Sequence, residues 1–203
     1  MNPQPLQPLA DWIARHHGTW RGAVRSLLAQ LDLGGGRLRQ FQLRHPHRVR
    51  RLVFVCQGNI CRSAFAAQVA QRLALESASL GLATTTGARS PDAAVEAARR
   101  QGYDLRAHRA TDLRDFAVRP GDLFLAMEVR QARELRRRLG VRDDVEVVLL
   151  GLWCTPRRPH LHDPYTLSDA YFDQCFSRLS DAVINLRRAV PQACRARTVE
   201  ILR

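Results

Sequence analysis

The sequence predicts an α/β fold in which a four-stranded parallel sheet carries helices on both faces, as in a doubly wound domain. From residue 51 onward, short apolar segments alternate with segments of helical periodicity. The apolar segments are continuous, which is typical of strands buried on both sides. A separate apolar pattern near the start adds one N-terminal helix. We therefore predict an extension over 1–50, a domain over 51–190 and a C-terminal tail over 191–203.

The individual elements follow from composition and periodicity. Strands are predicted at 52–55, 82–86, 123–127 and 145–150. Helices are predicted at 64–75, 91–100, 129–139 and 168–190, with Ser168 as the N-cap of the last one. In such sheets, ligands bind beyond the carboxyl ends of the strands, so the chemistry is expected there.

The first 50 residues differ from the rest of the chain. Apolar residues recur there at helical spacing: Leu9, Ile13, Trp20, Val24, Leu27, Leu28 and Leu31. Three consecutive glycines at 34–36 then end the pattern. We predict a single amphipathic helix, a glycine break and a basic arm that continues to Arg50.

Composition and charge exclude several classes of protein. All 32 basic residues are arginine, and 19 acidic residues leave a net charge of +13. This balance is compatible with an anionic partner, although a GC-rich genome produces the same arginine bias. No apolar run reaches the roughly 20 residues of a membrane span, and the first residues lack the unbroken apolar segment of a signal peptide. We expect a cytoplasmic protein whose five scattered cysteines are free thiols, with no metal-ligand spacing among them.

The segment after the first strand predicts an anion-binding loop. Residues 56–63 read Cys-Gln-Gly-Asn-Ile-Cys-Arg-Ser and lead directly into a helix. The backbone N–H groups of such a loop can point inward and, with the helix dipole, bind an anion. Gly58 and Asn59 tolerate the backbone conformations that this curl requires. Arg62 can bind two phosphate oxygens at once.

Cys56 lies at the opening of this positively charged loop. Such a field favours the thiolate, and a hydrogen bond from Ser63 stabilises it further. A lone cysteine at a strand end is more commonly a small buried apolar residue. Here the strand, the glycine, the asparagine and the helix start all agree. We therefore interpret Cys56 as a nucleophile directed at phosphorus.

Two motifs in this order resemble the low-molecular-weight protein tyrosine phosphatases of bacterial type. The first is V-C-Q-G-N-I-C-R-S at 55–63, and the second is the triplet Asp163-Pro164-Tyr165. Weaker matches lie at 85–87, 107–110 and 122–127. The likeness covers about 51–190. It implies a phosphotyrosine phosphatase, for which we expect no cofactor and no metal.

The resemblance implies a role for each matching residue. Cys56 would form a cysteinyl-phosphate, and Asp163 would protonate the leaving phenolate and later activate water. The implied phosphate-binding residues are Gln57, Gly58, Asn59, Ile60, Cys61, Arg62 and Ser63. The implied hydrogen-bond network that supports the loop consists of Asn59, Ser63, Thr85 and His108. The implied wall of the substrate cleft consists of Gln57, Ile60 and Tyr165, with Arg89 as a further candidate.

The sequence also departs from the family pattern. The connection at 87–91 is shorter than usual and lacks a residue that normally borders the cleft. Our hypothesis is that the N-terminal helix packs near this gap and replaces the lost wall. Cys61 could form a reversible disulfide with Cys56; simple packing is an equally good interpretation of it.

Other functions remain open at this point. Arsenate reductases use the same loop but need two more redox cysteines close together, a spacing that Cys154, Cys175 and Cys194 lack. Related protein-arginine phosphatases carry threonine in place of Ile60. A non-catalytic phosphoprotein-binding module would not need Asp163.

The expected partners follow from these alternatives. They are a tyrosine-phosphorylated protein, which the resemblance suggests is a bacterial tyrosine kinase of exopolysaccharide export, and phosphate or another oxyanion in the loop. The N-terminal helix could lie on an anionic membrane surface. Ordinary solvated charge is the simpler interpretation of the arginines, and we expect no nucleic-acid partner.

Overall fold

The computed structural model describes residues 7–193, and it has the predicted α/β architecture. Its four strands are all parallel and lie in the order β2-β1-β3-β4. The strands are β1 (Arg51–Cys56), β2 (Ser77–Gly81), β3 (Asp122–Ala126) and β4 (Glu146–Leu149). The helices are α1 (Gln7–His17), α2 (Trp20–Gly34), α3 (Arg62–Arg72), α4 (Asp92–Arg100), α5 (Val129–Leu139) and α6 (Asp169–Ala189). Most of the predicted 191–203 tail, including Cys194, lies outside the described residues.

Alternating side chains of β1 build a core on each face of the sheet. Leu52 and Phe54 pack in the layer beneath α3, α4 and α6, whereas Val53 and Val55 face the layer of α5. All of these side chains are fully buried. This two-sided burial explains why the strand is continuously apolar, and it confirms that helices cover both faces.

The segment predicted as a basic arm is part of the second core layer. Leu38 and Phe41 are fully buried there, and the guanidinium of Arg136 lies 4.6 Å from the Phe41 ring centroid. The predicted division at residue 50 therefore marks a change in sequence pattern and not a break in packing.

The second strand lies earlier in the sequence than predicted. It runs over Ser77–Gly81 and pairs in register with Leu52–Cys56, so the prediction at 82–86 is wrong. Consecutive threonines favoured a strand at 84–86, but pairing with β1 selects the preceding segment of small residues. A Cβ atom on Gly81 would lie 3.0 Å from the Gln57 carbonyl oxygen, so glycine lets the strand end against the anion-binding loop.

The predicted single N-terminal helix is two helices. Gly18, at φ +73°, interrupts the helix between α1 and α2. Thr19 then caps α2 by accepting a hydrogen bond from the Gly22 N–H at 2.9 Å. The resulting α1–α2 hairpin packs against α6, where Arg178 donates to the His16 carbonyl at 2.9 Å. Gln30 donates to the Arg157 carbonyl at 2.6 Å. These contacts lie on α6 and around residue 157, so they do not support the hypothesis that this element borders residues 87–91.

Across residues 7–193, no helix combines the length and the apolar character that crossing a bilayer requires.

Candidate active site

The predicted anion-binding loop joins the end of β1 to the start of α3. Asn59 adopts φ 52°, a left-handed conformation that asparagine tolerates better than most residues. This curl brings the Asn59 N–H to 3.3 Å from the sulfur of Cys56, to which it donates. The Ser63 hydroxyl oxygen lies 3.0 Å from the same sulfur. Cys56 as a whole is 2% exposed. Both contacts are of the kind that stabilises a sulfur anion.

The Asn59 side chain fixes the direction of the hydrogen bonds around the sulfur. Its amide donates to the Ser63 hydroxyl oxygen at 2.9 Å, so the hydroxyl hydrogen is free to point at Cys56. Its amide oxygen accepts from the Thr111 N–H at 2.8 Å. Asparagine thereby ties the loop to the segment around residue 111, a partner that the sequence did not indicate.

His108 holds the backbone of the same loop. Its Nε2 lies 2.7 Å from the Asn59 carbonyl oxygen. Burial lowers the pKa of His108, so its ring is neutral near pH 7. Because a carbonyl oxygen only accepts, Nε2 carries the hydrogen and donates it. The structure thus brings Asn59, Ser63 and His108 together, as the sequence predicted.

Thr85 does not join this network. It is exposed, and its side chain makes no hydrogen bond to any described residue. The physical reason is that β2 ends at Gly81, so Thr85 falls in the turn beyond the strand, where its carbonyl accepts from the Ala88 N–H at 3.1 Å. The predicted role of Thr85 is corrected accordingly.

Arg62 is fully buried and gathers three groups from distant parts of the chain. One terminal nitrogen donates to Glu128 at 2.7 Å and to the Leu161 carbonyl at 2.9 Å. The other donates to Asp163 at 2.5 Å. The Nε of Arg62 is buried with no hydrogen-bond partner among residues 7–193. Since orphaned buried donors are rare and costly, this N–H suits an oxyanion ligand.

Glu128 is the site residue that sequence reasoning missed. It is 1% exposed and lies between β3 and α5, where its second oxygen accepts from Arg130 at 2.7 Å. Burial alone would raise the pKa of Glu128, but Arg62 and Arg130 outweigh it and lower the value to about 2. An acidic residue directly after a buried parallel strand was the available signal, because that edge holds the site.

Asp163 lies in the segment 160–167, which we call the acid loop. Besides Arg62, its carboxylate accepts from the Tyr165 N–H at 3.3 Å. Its side chain is 35% exposed, so the group faces both the buried guanidinium and solvent. The predicted catalytic residues Cys56, Arg62 and Asp163 are thereby connected through one loop and one ion pair.

The remaining predicted site residues have varied exposure. Tyr165 and Gln57 are exposed and Ile60 is half-buried, as residues of a cleft wall can be. Cys56 and Cys61 are both free thiols, and their predicted disulfide stays a prediction. Among the described residues, no group of His, Cys, Asp and Glu has an arrangement that could hold a metal ion.

Comparisons with known proteins agree with this geometry. The sequence model of the family described as low molecular weight phosphotyrosine protein phosphatase matches residues 51–196. The chain is 34% identical over 132 residues to "Low molecular weight protein-tyrosine-phosphatase Wzb" of Escherichia coli (strain K12), covering 63% of this chain and 86% of the relative. It is 37% identical over 93 residues to "Probable low molecular weight protein-tyrosine-phosphatase EpsP" of Ralstonia solanacearum, covering 44% of this chain. That match spans 63% of EpsP, which is less than two thirds of its length.

Solved structures give the same result. The Erwinia amylovora tyrosine phosphatase AmsI superposes with a TM-score of 0.59 at 29% identity, covering 70% of this chain and 93% of that one. Wzb from Escherichia coli K30 in complex with sulphate gives 0.57 at 27% identity, covering 70% and 96%. Because the family match covers most of the chain and its motifs form one site, the chain belongs to the low molecular weight phosphotyrosine protein phosphatase family.

Proposed function

We propose that this protein hydrolyses phosphotyrosine in proteins through a cysteinyl-phosphate intermediate. The observation that carries the proposal is the set of contacts at the end of β1. There the sulfur of Cys56 accepts from the Asn59 N–H at 3.3 Å, and Arg62 of the same loop contacts Asp163 at 2.5 Å. A nucleophile, an anion-binding group and a proton donor are thereby linked.

In the first step, the sulfur of Cys56 attacks phosphorus and the bond from phosphorus to the phenolic oxygen breaks. Arg62 and the loop N–H groups stabilise the charge on the three non-bridging oxygens, the usual large contribution of fixed donors. Asp163 gives its proton to the leaving phenolic oxygen. The products are the dephosphorylated tyrosine and the cysteinyl-phosphate.

In the second step, water attacks the phosphorus of the cysteinyl-phosphate. Asp163, now a carboxylate, takes a proton from that water as the bond from sulfur to phosphorus breaks. Inorganic phosphate leaves and Cys56 returns to the thiolate. The Ser63 hydroxyl, 3.0 Å from the sulfur, stabilises the thiolate as it departs.

The proposal is tested by comparing peptides that carry phosphotyrosine, phosphoserine or phosphoarginine. We expect phosphotyrosine to be hydrolysed, Cys56→Ser to be inactive, and Asp163→Ala to lose about 10²–10⁴-fold, the usual contribution of acid–base catalysis. Exposed Asp11, mutated to Asn, serves as a control that retains full activity. Equal rates for wild type, Cys56→Ser and Asp163→Ala would refute the mechanism.

The same experiment separates the alternative chemistries. Faster hydrolysis of phosphoarginine would indicate a protein-arginine phosphatase, against which the apolar Ile60 argues because it suits a flat phenyl ring. Peptide binding without turnover by the wild type would indicate a binding module. The resemblance suggests a bacterial tyrosine kinase of exopolysaccharide export as the protein substrate, in the cytoplasm, where reducing conditions keep Cys56 a free thiol.

A second candidate function is favoured by the outer face of α2. Its large apolar side chains form one stripe and are between 40% and 66% exposed: Trp20, Val24, Leu27, Leu28 and Leu31. The face that contacts the domain carries small residues instead, namely Gly22, Ser26 and Ala29. The helix therefore turns its apolar stripe toward solvent, where such a patch marks an interaction site.

The arginines beside this stripe favour a negatively charged binding partner. We propose that the stripe binds an anionic lipid surface. Arg21 and Arg25 follow stripe residues by one position and line its edge, as in helices that lie in a membrane interface. A second copy would offer few carboxylates to pair with them. The hairpin has only Asp11 and Asp32, and Asp32 already pairs with Arg37 at 3.2 Å.

Vesicle sedimentation tests the lipid proposal. We expect binding to vesicles of phosphatidylcholine mixed with phosphatidylglycerol, weaker binding at high salt, and a loss of about tenfold or more in Leu27→Ser/Leu31→Ser. Val141, a fully exposed apolar residue away from the stripe, provides the control Val141→Ser, which should bind like wild type. Unchanged vesicle binding in the double variant would overturn the assignment to lipid. So would a wild-type dimer in solution that the double variant no longer forms.

A further inference from the structure

The inner face of the α1–α2 hairpin touches the acid loop at the residue directly before Asp163. The Thr19 hydroxyl oxygen lies 3.1 Å from Nε2 of His162. The same oxygen accepts from the Gly22 N–H at 2.9 Å, so it joins the first turn of α2 to the acid loop. This contact spans 143 positions of sequence and involves a residue outside the part of the chain that matches the family.

The hairpin fits the acid loop without space for further side chains. A Cβ atom on Gly22 would lie 2.7 Å from Cδ2 of His162. A Cβ atom on Gly18 would lie 2.6 Å from Cδ1 of Leu167 and 2.8 Å from Cε1 of Tyr171. Such distances are shorter than any ordinary van der Waals contact. The two glycines therefore allow the hairpin backbone to approach His162 and Leu167 of the loop directly.

The backbone beside Asp163 is also held from within the domain. The Leu161 N–H donates to the Met127 carbonyl at 2.9 Å, and the Leu161 carbonyl accepts from Arg62 at 2.9 Å. The Tyr171 hydroxyl donates to the His162 carbonyl at 3.4 Å. The His162 ring lies near the rings of His160 and Tyr171, and Thr19 adds a hydrogen-bond contact to it from the hairpin.

We propose that Thr19 is a positioning residue that, through His162, holds the acid loop so that Asp163 reaches the leaving oxygen of the substrate. This role rests on the proposed phosphatase activity. It gives the N-terminal hairpin a part in the chemistry without any contact to substrate. A displacement of about 1 Å in a reacting group can cost about 10²-fold in rate, so a contact one residue away is close enough to matter.

The leaving group of the substrate separates positioning from simple packing. Phenyl phosphate has a basic leaving oxygen that needs a proton, whereas p-nitrophenyl phosphate has a weakly basic one that needs it less. We expect Thr19→Val to lower kcat/KM about tenfold for phenyl phosphate and by less than about threefold for p-nitrophenyl phosphate. Thr19→Ser keeps the hydroxyl and should restore wild-type behaviour. An equal loss on both substrates would overturn the proposal.

Thr19→Val also removes the cap of α2 and so weakens the α1–α2 hairpin, and two controls isolate that effect. Ala14→Gly weakens the same hairpin at an exposed site of α1, and it should leave the ratio of the two substrates unchanged. His162→Leu breaks the same contact from the loop side. Combined with Thr19→Val, it should add little further loss on phenyl phosphate, because both changes remove one interaction. Fully additive losses would argue against coupling.

Hydrogen exchange supplies a measurement that does not depend on activity. Amides of the acid loop should exchange faster in Thr19→Val than in wild type and Ala14→Gly, with the sheet unchanged. Unchanged exchange in the loop would overturn the positioning role even if the protein proves to be a phosphatase. If loop exchange is faster in Thr19→Val but the wild-type protein hydrolyses no phosphate ester, only the proposed function is contradicted.

Discussion

Replacing Glu128 by glutamine tests whether the buried ion pair with Arg62 stabilises the protein. Glutamine keeps the shape and one acceptor oxygen but removes the charge. The pKa of Glu128 falls from 4.5 to about 2 on folding, despite burial, because Arg62 and Arg130 stabilise the carboxylate. A shift of this size corresponds to about 3 kcal/mol of folding free energy at pH 7. We expect Glu128→Gln to lower the free energy of unfolding by about that amount.

The sign of the pH dependence makes the test specific. A depressed carboxyl pKa stabilises the fold above pH 4.5 and loses that contribution as the pH falls toward 2. In urea titrations at pH 7, 5 and 3, the difference between wild type and Glu128→Gln should therefore be largest at pH 7 and shrink at pH 3. Glu134→Gln is the control, because Glu134 pairs with Arg137 and Arg138 at the surface, where water screens the charges. Equal stability at pH 7, or a difference that stays constant at pH 3, would refute the reasoning.

Three further predictions concern single residues. Burial lowers the pKa of His160 to about 4, so this residue should contribute a fall in stability of about 2 kcal/mol between pH 7 and 5. His160→Gln should remove that part of the fall in urea titrations, and an unchanged slope would contradict the prediction. Asn59→Ala loses two side-chain hydrogen bonds and leaves alanine at φ 52°. We therefore expect a free energy of unfolding about 2–3 kcal/mol lower and a slower enzyme. Wild-type stability in this variant would contradict the role of Asn59 in holding the loop. Iodoacetamide at pH 7 should modify Cys56, whose sulfur is contacted by the Asn59 N–H and the Ser63 hydroxyl, before Cys154 and Cys175. Burial raises the pKa values of Cys154 and Cys175 to about 11 and 12, and peptide mass spectrometry showing the reverse order would contradict the prediction.

The anion-binding loop could be predicted from sequence because its determinants are local. A strand end, a glycine, an asparagine at a left-handed position and a helix start lie within eight residues. The same is true of Ser168, whose hydroxyl caps α6 by accepting from the Tyr171 N–H at 3.3 Å, as predicted. Such features depend on the backbone of a few neighbours, which the sequence specifies directly.

The features that escaped prediction depend on residues far apart in sequence. Glu128 has its role only because β3 ends beside β1 and places it 2.7 Å from Arg62. The position of β2 follows from pairing with β1, which overrides the higher strand propensity of the threonines that follow. The orientation of α2 was also hidden, because an apolar stripe ordinarily faces the core. Here the small residues Gly22, Ser26 and Ala29 face inward instead, and a Cβ atom on Gly22 would lie 2.7 Å from the His162 ring.

The two carboxylates on Arg62 are not equivalent, and their difference connects the fold to the proposed chemistry. Glu128 is 1% exposed and held by Arg130, so it remains in place whatever binds. Asp163 is 35% exposed and lies on a loop, so it is the carboxylate that can move away from Arg62. A phosphate group bound to Arg62 would bring further negative charge beside Asp163, and like charges repel near a protein surface. We therefore expect substrate to displace the exposed Asp163, and not the buried Glu128, from the guanidinium. In the proposed mechanism this frees the Asp163 carboxyl for the leaving oxygen, provided that the loop keeps Asp163 within reach, which is the role that we assign to Thr19.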